Sequence, residues 1–294
     1  MISVFGSANM DLVAYVAKAP GLGETVTGRA FRTVPGGKGA NQAVAAARAG
    51  GRVVFVGAVG DDAFGPELRG ALAGAGVDVT HLRTVPGPSG IAHIVVEDSG
   101  ANSIIVVPGA NGTLTGPGEA GAAAIAAAGA LLMQLELPME AVIAAARCAD
   151  TPVILTPAPA VPLPAELLDA VDLIVPNEHE AAAITGHDDP RRALSALLER
   201  VPEAVVTLGA RGVLYGGRET TPGGPVHVPA FPVTAVDTTA AGDTFVGALA
   251  VARSEGGEPA AALRFASAAA ALSVQREGAT TSMPHRAAID AFLT

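Results

Sequence analysis

Short runs of β-branched and other apolar residues recur along this chain, and most are apolar on both faces rather than at every second position. They are MISVFGS at the start, RVVFVG (52–57), ALLMQL (130–135), PVILT (152–156), DLIVPN (172–177) and AVVTLG (204–209). Strands of this kind are buried on both sides, as in a parallel sheet covered by helices. Between them lie helix-like stretches: KGANQAVAAARAG closing on Gly50 and Gly51, MEAVIAAARCA, EHEAAAITG ending at Gly186, and DPRRALSALLERV. The alternation predicts an α/β fold, with a mostly parallel central sheet flanked by helices.

Two segments break that rhythm. Residues 12–34 and 89–107 read as strand–turn–strand units, with turns at PGLGE and EDSGAN and alternation such as Ile91, His93, Val95. Having no helix between their strands, they predict a small β lid or subunit contact beside an α/β core made of residues 1–11, 35–88 and 108–294. The apolar stretch from Ala120 to Met133 carries two glycines and meets Gln134, Glu136 and Pro138 before it reaches the roughly 20 residues a bilayer requires. It reads as a buried helix followed by a strand, and no membrane association is expected.

Composition narrows the function classes. Half of the 294 residues are hydrophobic, which excludes a disordered chain. With 28 acidic against 18 basic side chains the formal charge is -10, so a phosphate-backbone footprint, and with it a nucleic-acid partner, is not expected. The single cysteine, Cys148, has no disulfide partner within the chain and reads as buried filler; together with the lack of a signal peptide it points to a reducing cytoplasm. Aromatic residues make up 3% with no Trp, leaving little material for a pocket of stacked rings.

Open α/β sheets bind ligands at the carboxyl ends of their strands. Asn9 and Asp11 follow the first strand run, Glu136 follows LLMQL, Asn177 and Glu180 follow DLIVP, and Thr207 and Gly209 follow AVV. Asp237, Thr239 and Asp243 precede or open a late helix, and Lys38 in PGGKGAN is a nearby cation. PGGKGAN lacks the spacing of a phosphate-binding P-loop and no Ser or Thr follows its lysine. Its glycines suit close backbone approach to a polyhydroxylated ligand, with Lys38 and Asn41 as donors, or simply a turn into a helix. GSANMD after the first strand is no dinucleotide fingerprint. NEHE (177–180) is either a helix capping box or a water-mediated Mg²⁺ site; it does not supply the ligands of a catalytic zinc. In VDTTAAGDTFVG, Ala240, Ala241 and Gly242 expose the positive start of a helix to an anion, while Asp243 either caps that helix or faces a second reactant.

In order along the whole chain, GSANMD, GLGETVTG, GGKGANQAVAAAR, GDDAFG, LLMQLE, PNEHEA, TLGARG, VDTTAAGDTFVGAL and REGATTSMP resemble the ribokinase-like (pfkB) family of sugar and nucleoside kinases. The resemblance implies an ATP-dependent phosphotransferase in which Asp243 is the general base and the N–H groups of Ala240, Ala241, Gly242 and Asp243 form an anion hole for the γ-phosphoryl group. It further implies that Asn9, Asp11, Gly37, Lys38, Gly39, Asn41 and Glu136 bind the sugar. Asn177 and Glu180 would position Mg²⁺ and phosphates, and Asn177, Thr207, Gly209, Ala210, Gly212, Gly242 and Ser267 would line the ATP site. Asp237, Thr239, Ser273, Arg276, Gly278 and Ser282 would hold an activating K⁺, mostly through backbone carbonyls. The hairpins would be the lid, through which such proteins pair as homodimers. The scarcity of rings and of extra cations favours ribose over a nucleoside or a sugar phosphate, with deoxyribose or another small sugar next. A catalytically silent sugar-binding protein would have no need of Asp243, and a dehydrogenase would need the missing fingerprint.

Overall fold

In the computed structural model, which describes residues 1–221 and 223–294, the chain builds two sheets. Strand β1 (Ile2–Phe5) opens the larger one; β2 (Asn9–Val16) and β3 (Ala30–Gly36) form a hairpin, and α1 (Lys38–Arg48) returns the chain to the large sheet at β4 (Val53–Gly60). Helix α2 (Phe64–Gly74) and β5 (Leu82–Val85) follow, and then β6 (Gly90–Glu97) and β7 (Asn102–Val107) make a second hairpin. The chain continues through α3 (Gly118–Ala126), β8 (Ala130–Met133), α4 (Met139–Ala146), β9 (Val153–Leu155), α5 (Ala165–Leu168), β10 (Leu173–Ile174), α6 (Glu178–Thr185), α7 (Pro190–Leu198) and β11 (Glu203–Thr207). Last come β12 (Val213–Gly217), β13 (Val226–Val228), α8 (Ala241–Ser254), α9 (Pro259–Ser273) and α10 (Arg286–Leu293).

Among the described residues the large sheet runs β13-β12-β11-β10-β9-β8-β1-β4-β5, parallel from β5 to β11 and antiparallel over β12 and β13. The strand period of two divides its side chains between two cores. Ile2, Val4, Phe55 and Leu132 face α1, α8 and α9, whereas Phe5, Val56, Leu131 and Met133 face α3, α4 and α7. On the first side α1 and α8 cross closely: a Cβ at Gly247 of α8 would stand 2.6 Å from the Ala45 methyl group and 2.7 Å from the Gln42 carbonyl oxygen of α1. Small residues bring these two backbones together, and with them their N-termini.

The stretch from Ala120 to Met133 departs from its expected burial. Strand β8 is buried throughout, but α3 buries only Gly121 and Ile125. Ile125 is the sole large apolar side chain in GEAGAAAIA, so only one face has area to hide. Cys148 is likewise only half-buried; it packs against the second core and its Sγ donates to the Ala144 carbonyl oxygen at 3.1 Å. No helix among the described residues is long and apolar enough to cross a membrane.

The small sheet runs β3-β2-β6-β7, with each hairpin antiparallel and β2 joined to β6 in parallel. Its pairing extends beyond residues 12–34, because Asn9 sits opposite both Gly36 and Gly90. Asn9 and Asp11 are therefore part of this sheet's first strand. Both of its edge strands expose apolar side chains: Phe31 on β3 is 62%, and Ile104 and Ile105 on β7 are 55% and 66% exposed.

Candidate active site

Helix α8 begins on Ala240, which has φ 56° and is the one non-glycine residue with positive φ among those described. A left-handed alanine costs on the order of 1–3 kcal/mol and persists only where its surroundings demand it. No side chain caps this helix. Ala241 N–H donates to the Thr238 carbonyl oxygen at 3.2 Å, which removes one amide from the four expected to face an anion. The N–H groups of Ala240, Gly242 and Asp243 have no protein acceptor among the described residues. Around Gly242 the space is open, with no other residue within 4 Å of where a Cβ would stand. The helix start is thus a concentration of unpaired donors with partial positive charge.

Asp243 lies in the first turn and is buried. Two consecutive residues of α1 hold its carboxylate: Asn41 Nδ2 donates to Oδ2 at 3.1 Å and Gln42 Nε2 to Oδ1 at 3.0 Å. Burial pushes its pKa up to about 6, against the Lys38 charge and the two amide bonds, with Glu136 adding to the rise. A carboxyl group so placed takes up a proton readily near neutral pH.

Lys38 stands among carboxylates. Burial works to lower its pKa, but Asp243, Glu136, Glu180 and Asp11 together outweigh that and raise it. Asp11 is pushed up to about 7, first by burial and then by Glu136, with Lys38 opposing. Glu136 organises the loop between β3 and α1, accepting from Ser7 Oγ and, at 2.9 Å, from Lys38 N–H. Gly37 turns the chain here with φ 92°, a conformation other residues rarely adopt, and Gly39 N–H reaches Ser7 Oγ at 3.3 Å. At Gly36 a Cβ would stand 2.4 Å from Asp11 Oδ2, so the carboxylate fills the space that a side chain there would need. Asn9 Oδ1 accepts from Asn111 Nδ2 at 2.7 Å, leaving its own amide nitrogen for a ligand. The structure therefore gathers Asn9, Asp11, Gly37, Lys38, Gly39, Asn41, Glu136 and Asp243 where α1 meets α8 and the small sheet.

The remaining candidates divide. Asn177 and Glu180 form a reciprocal capping box on α6, with both bonds at 2.8 Å. Burial raises the Glu180 pKa, with the Asn177 N–H and Lys38 opposing. Thr207 bridges to Asn177 at the end of β11, and Gly209, Ala210 and Arg211 form a turn that closes through Leu208 N–H to the Gly212 carbonyl oxygen at 2.8 Å. Ser267 is buried on α9, and its Oγ has no hydrogen-bond partner. Asp237 clasps two loops, accepting from Thr239 N–H at 2.9 Å and Gly278 N–H at 2.8 Å. The Ser273 and Ser282 hydroxyls donate to the Ala270 and Ala279 carbonyl oxygens, and Arg276 is exposed.

Several polar residues of the site escaped the sequence reading. Ser7, Gln42, Asn111 and Gln134 are all buried and each holds a candidate ligand-binding or catalytic side chain directly or through one partner. Gln134, alone and polar inside the apolar run ALLMQL, was the one visible signal.

The family model described as "pfkB family carbohydrate kinase" matches residues 1–286. The chain belongs to the pfkB family of carbohydrate kinases. It is 45% identical to the ribokinase of Bacillus subtilis, over 100% of this chain and 99% of that protein. It is 37% identical to the deoxyribokinase of Salmonella typhi, over 96% and 95%. The structure of Arabidopsis thaliana ribokinase complexed with ribose and ATP superposes with a TM-score of 0.93 at 36% identity, covering 100% of this chain and 98% of that one. The protein is thus an ATP-dependent sugar kinase.

A carboxyl group with a raised folded-state pKa keeps its proton in the folded state where the unfolded chain has released it, so stability falls as pH rises through that window. For Asp11 the window runs from 3.8 to about 7. Asp11→Asn in the ligand-free kinase is expected to raise Tm at neutral pH, with the gain shrinking towards the acid end of the window. A gain that stays constant across thermal melts at stepped pH would show that Asp11 is not the strained group.

Proposed function

We propose that this kinase transfers the γ-phosphoryl group of ATP to the primary (5-) hydroxyl of D-ribose, giving ribose 5-phosphate and ADP. The observation that carries the reading is the adjacency of a buried, amide-held carboxylate, Asp243, to three unpartnered amides at an open helix start. As the bond from the hydroxyl oxygen to γ-phosphorus forms and the bond from phosphorus to the β,γ-bridging oxygen breaks, Asp243 takes the hydroxyl proton. The amides of Ala240, Gly242 and Asp243 stabilise the charge on the transferring group, which in phosphoryl transfer is most of the catalytic task. Asn9, Asp11, Lys38, Asn41 and Glu136 orient the sugar, and the buried Asn41 Oδ1, which has no partner, is an acceptor for one of its hydroxyls. Thr207, Gly209, Ala210, Gly212 and Ser267 line the nucleotide side.

Glu180 fits a Mg²⁺ held through water beside Asn177: the capping box takes the one side-chain oxygen of Asn177 but only Oε2 of Glu180, leaving Glu180 Oε1 to accept from metal-bound water. The ion would neutralise phosphate charge. For K⁺, the loops clasped by Asp237 offer main-chain carbonyls more than side chains, and the cation would steady the α8 start from behind.

The similarity to a deoxyribokinase supports 2-deoxyribose as the second reading. A panel of pentoses, hexoses and nucleosides assayed with ATP separates the two from each other and from a silent sugar-binding protein. Asp243→Ala should lower turnover by roughly two to four orders of magnitude while sugar binding persists; wild-type turnover by this variant would remove Asp243 from the mechanism. Exchange of K⁺ for Na⁺ at constant ionic strength should depress the rate, and equal rates in the two salts would remove the cation site. The exposed apolar side chains of edge strand β7 support a homodimer through the lid. Ile105→Asp is expected to give a monomer in sedimentation velocity, and an unchanged dimer would place the contact elsewhere.

A further inference from the structure

Two buried glutamines form an amide chain that ends on Asp243. Gln134, immediately after β8, is 1% exposed, and Gln42, on α1, is 0% exposed. Gln134 Nε2 donates to Gln42 Oε1 at 2.6 Å; Gln42 Nε2 donates to Asp243 Oδ1 at 3.0 Å and to Thr156 Oγ1 at 3.1 Å. The order of donors in this chain has only one solution. An ionised carboxylate accepts and never donates, so Gln42 must present its nitrogen to Asp243 and its oxygen to Gln134. Gln134 must then present its own nitrogen. Turning either amide over would set two oxygens against each other in a dry interior. Room for Gln134 is built into the first strand's exit, since a Cβ on Gly6 would stand 2.3 Å from its Oε1.

We infer that Gln42, locked in one amide orientation by Gln134, is a positioning residue for Asp243: it fixes which lone pair of the carboxylate faces the cleft and favours its anionic form. The inference rests on the reading of Asp243 as the general base. Asn41 supplies the second donor and is oriented by the same carboxylate, but its Oδ1 and Gln134 Oε1 are buried without partners among the described residues, so Gln42 is the one amide of the three held at both ends. A neutral amide suits this task, because it holds the anion without the deeper pKa depression that a touching cation imposes.

The test uses the full chain with Gln42→Met and Gln134→Met, which retain bulk and remove the donors. Two readouts are taken: the acid limb of kcat/KM against pH, and the titration of the Asp243 carboxyl by NMR of protein labelled with ¹³C-aspartate, assigned with Asp243→Asn. Loss of the donor should move both midpoints upward by roughly half to one pH unit for Gln42→Met and by less for Gln134→Met. KM for the sugar should change by less than about threefold, since neither glutamine is placed against it. Unmoved midpoints in the folded variants, or a loss expressed entirely in KM, would overturn the inference. The NMR midpoint needs no turnover, so a wild-type chain that fails to phosphorylate ribose would sink the proposed function while leaving the Gln42 restraint to be judged on its own.

Discussion

The site depends on a single crossing, that of α1 and α8. Because Gly247 admits the α1 backbone, the two helices start side by side, and what each carries in its first turn meets the other. Lys38, Asn41 and Gln42 come from one; the unpaired amides and Asp243 come from the other. Neither helix is complete as a reaction centre. An α8 with Asp243 but no α1 amides would bury a carboxylate unsupported, at a cost of several kcal/mol or the loss of its charge. The large sheet holds the two helices over β1 and β8, and those same strands deliver Ser7, Gln134 and Glu136 to the loops between them.

Charge is arranged in the same spirit. One cation, Lys38, is surrounded by Asp11, Glu136, Glu180 and Asp243, which is more negative charge than it can offset. Burial, more than this surplus charge, displaces the carboxyl groups of Asp11 and Asp243 towards neutrality, with Glu136 adding to both rises. A carboxylate that is reluctant to ionise is a poor structural ion and a good acceptor of a substrate proton. Its pKa is set by the balance of burial against neutral donors and a nearby ammonium, with no tight ion pair on Asp243 itself.

Much of this was legible in the chain itself, and the exceptions have physical reasons. Apolar runs such as RVVFVG and ALLMQL became strands buried on both faces, and the two segments without helices became the hairpins of a separate sheet. Asp243 and Lys38 stood out because charged residues beside glycines at helix starts are chemically conspicuous. Gln42 and Gln134 did not, because an uncharged polar residue amid alanines or leucines gives no sign of what it will meet across the fold. Ala-rich segments mislead differently: α3 is apolar by composition, yet alanine has too little area to compel burial. The left-handed turn at Ala240 and the loss of Ala241 N–H to Thr238 were likewise invisible, since both arise from how the loop before α8 is forced to close.

The fit of Asp11 into the void at Gly36 ties two positions on neighbouring strands into one unit of inheritance. A larger residue at 36 ejects the carboxylate, and a shorter one at 11 leaves a hollow beside bare backbone. Drift at either site alone therefore damages the proposed sugar face, so divergence towards new acceptors has to enter through paired replacement there or through residues outside the pair.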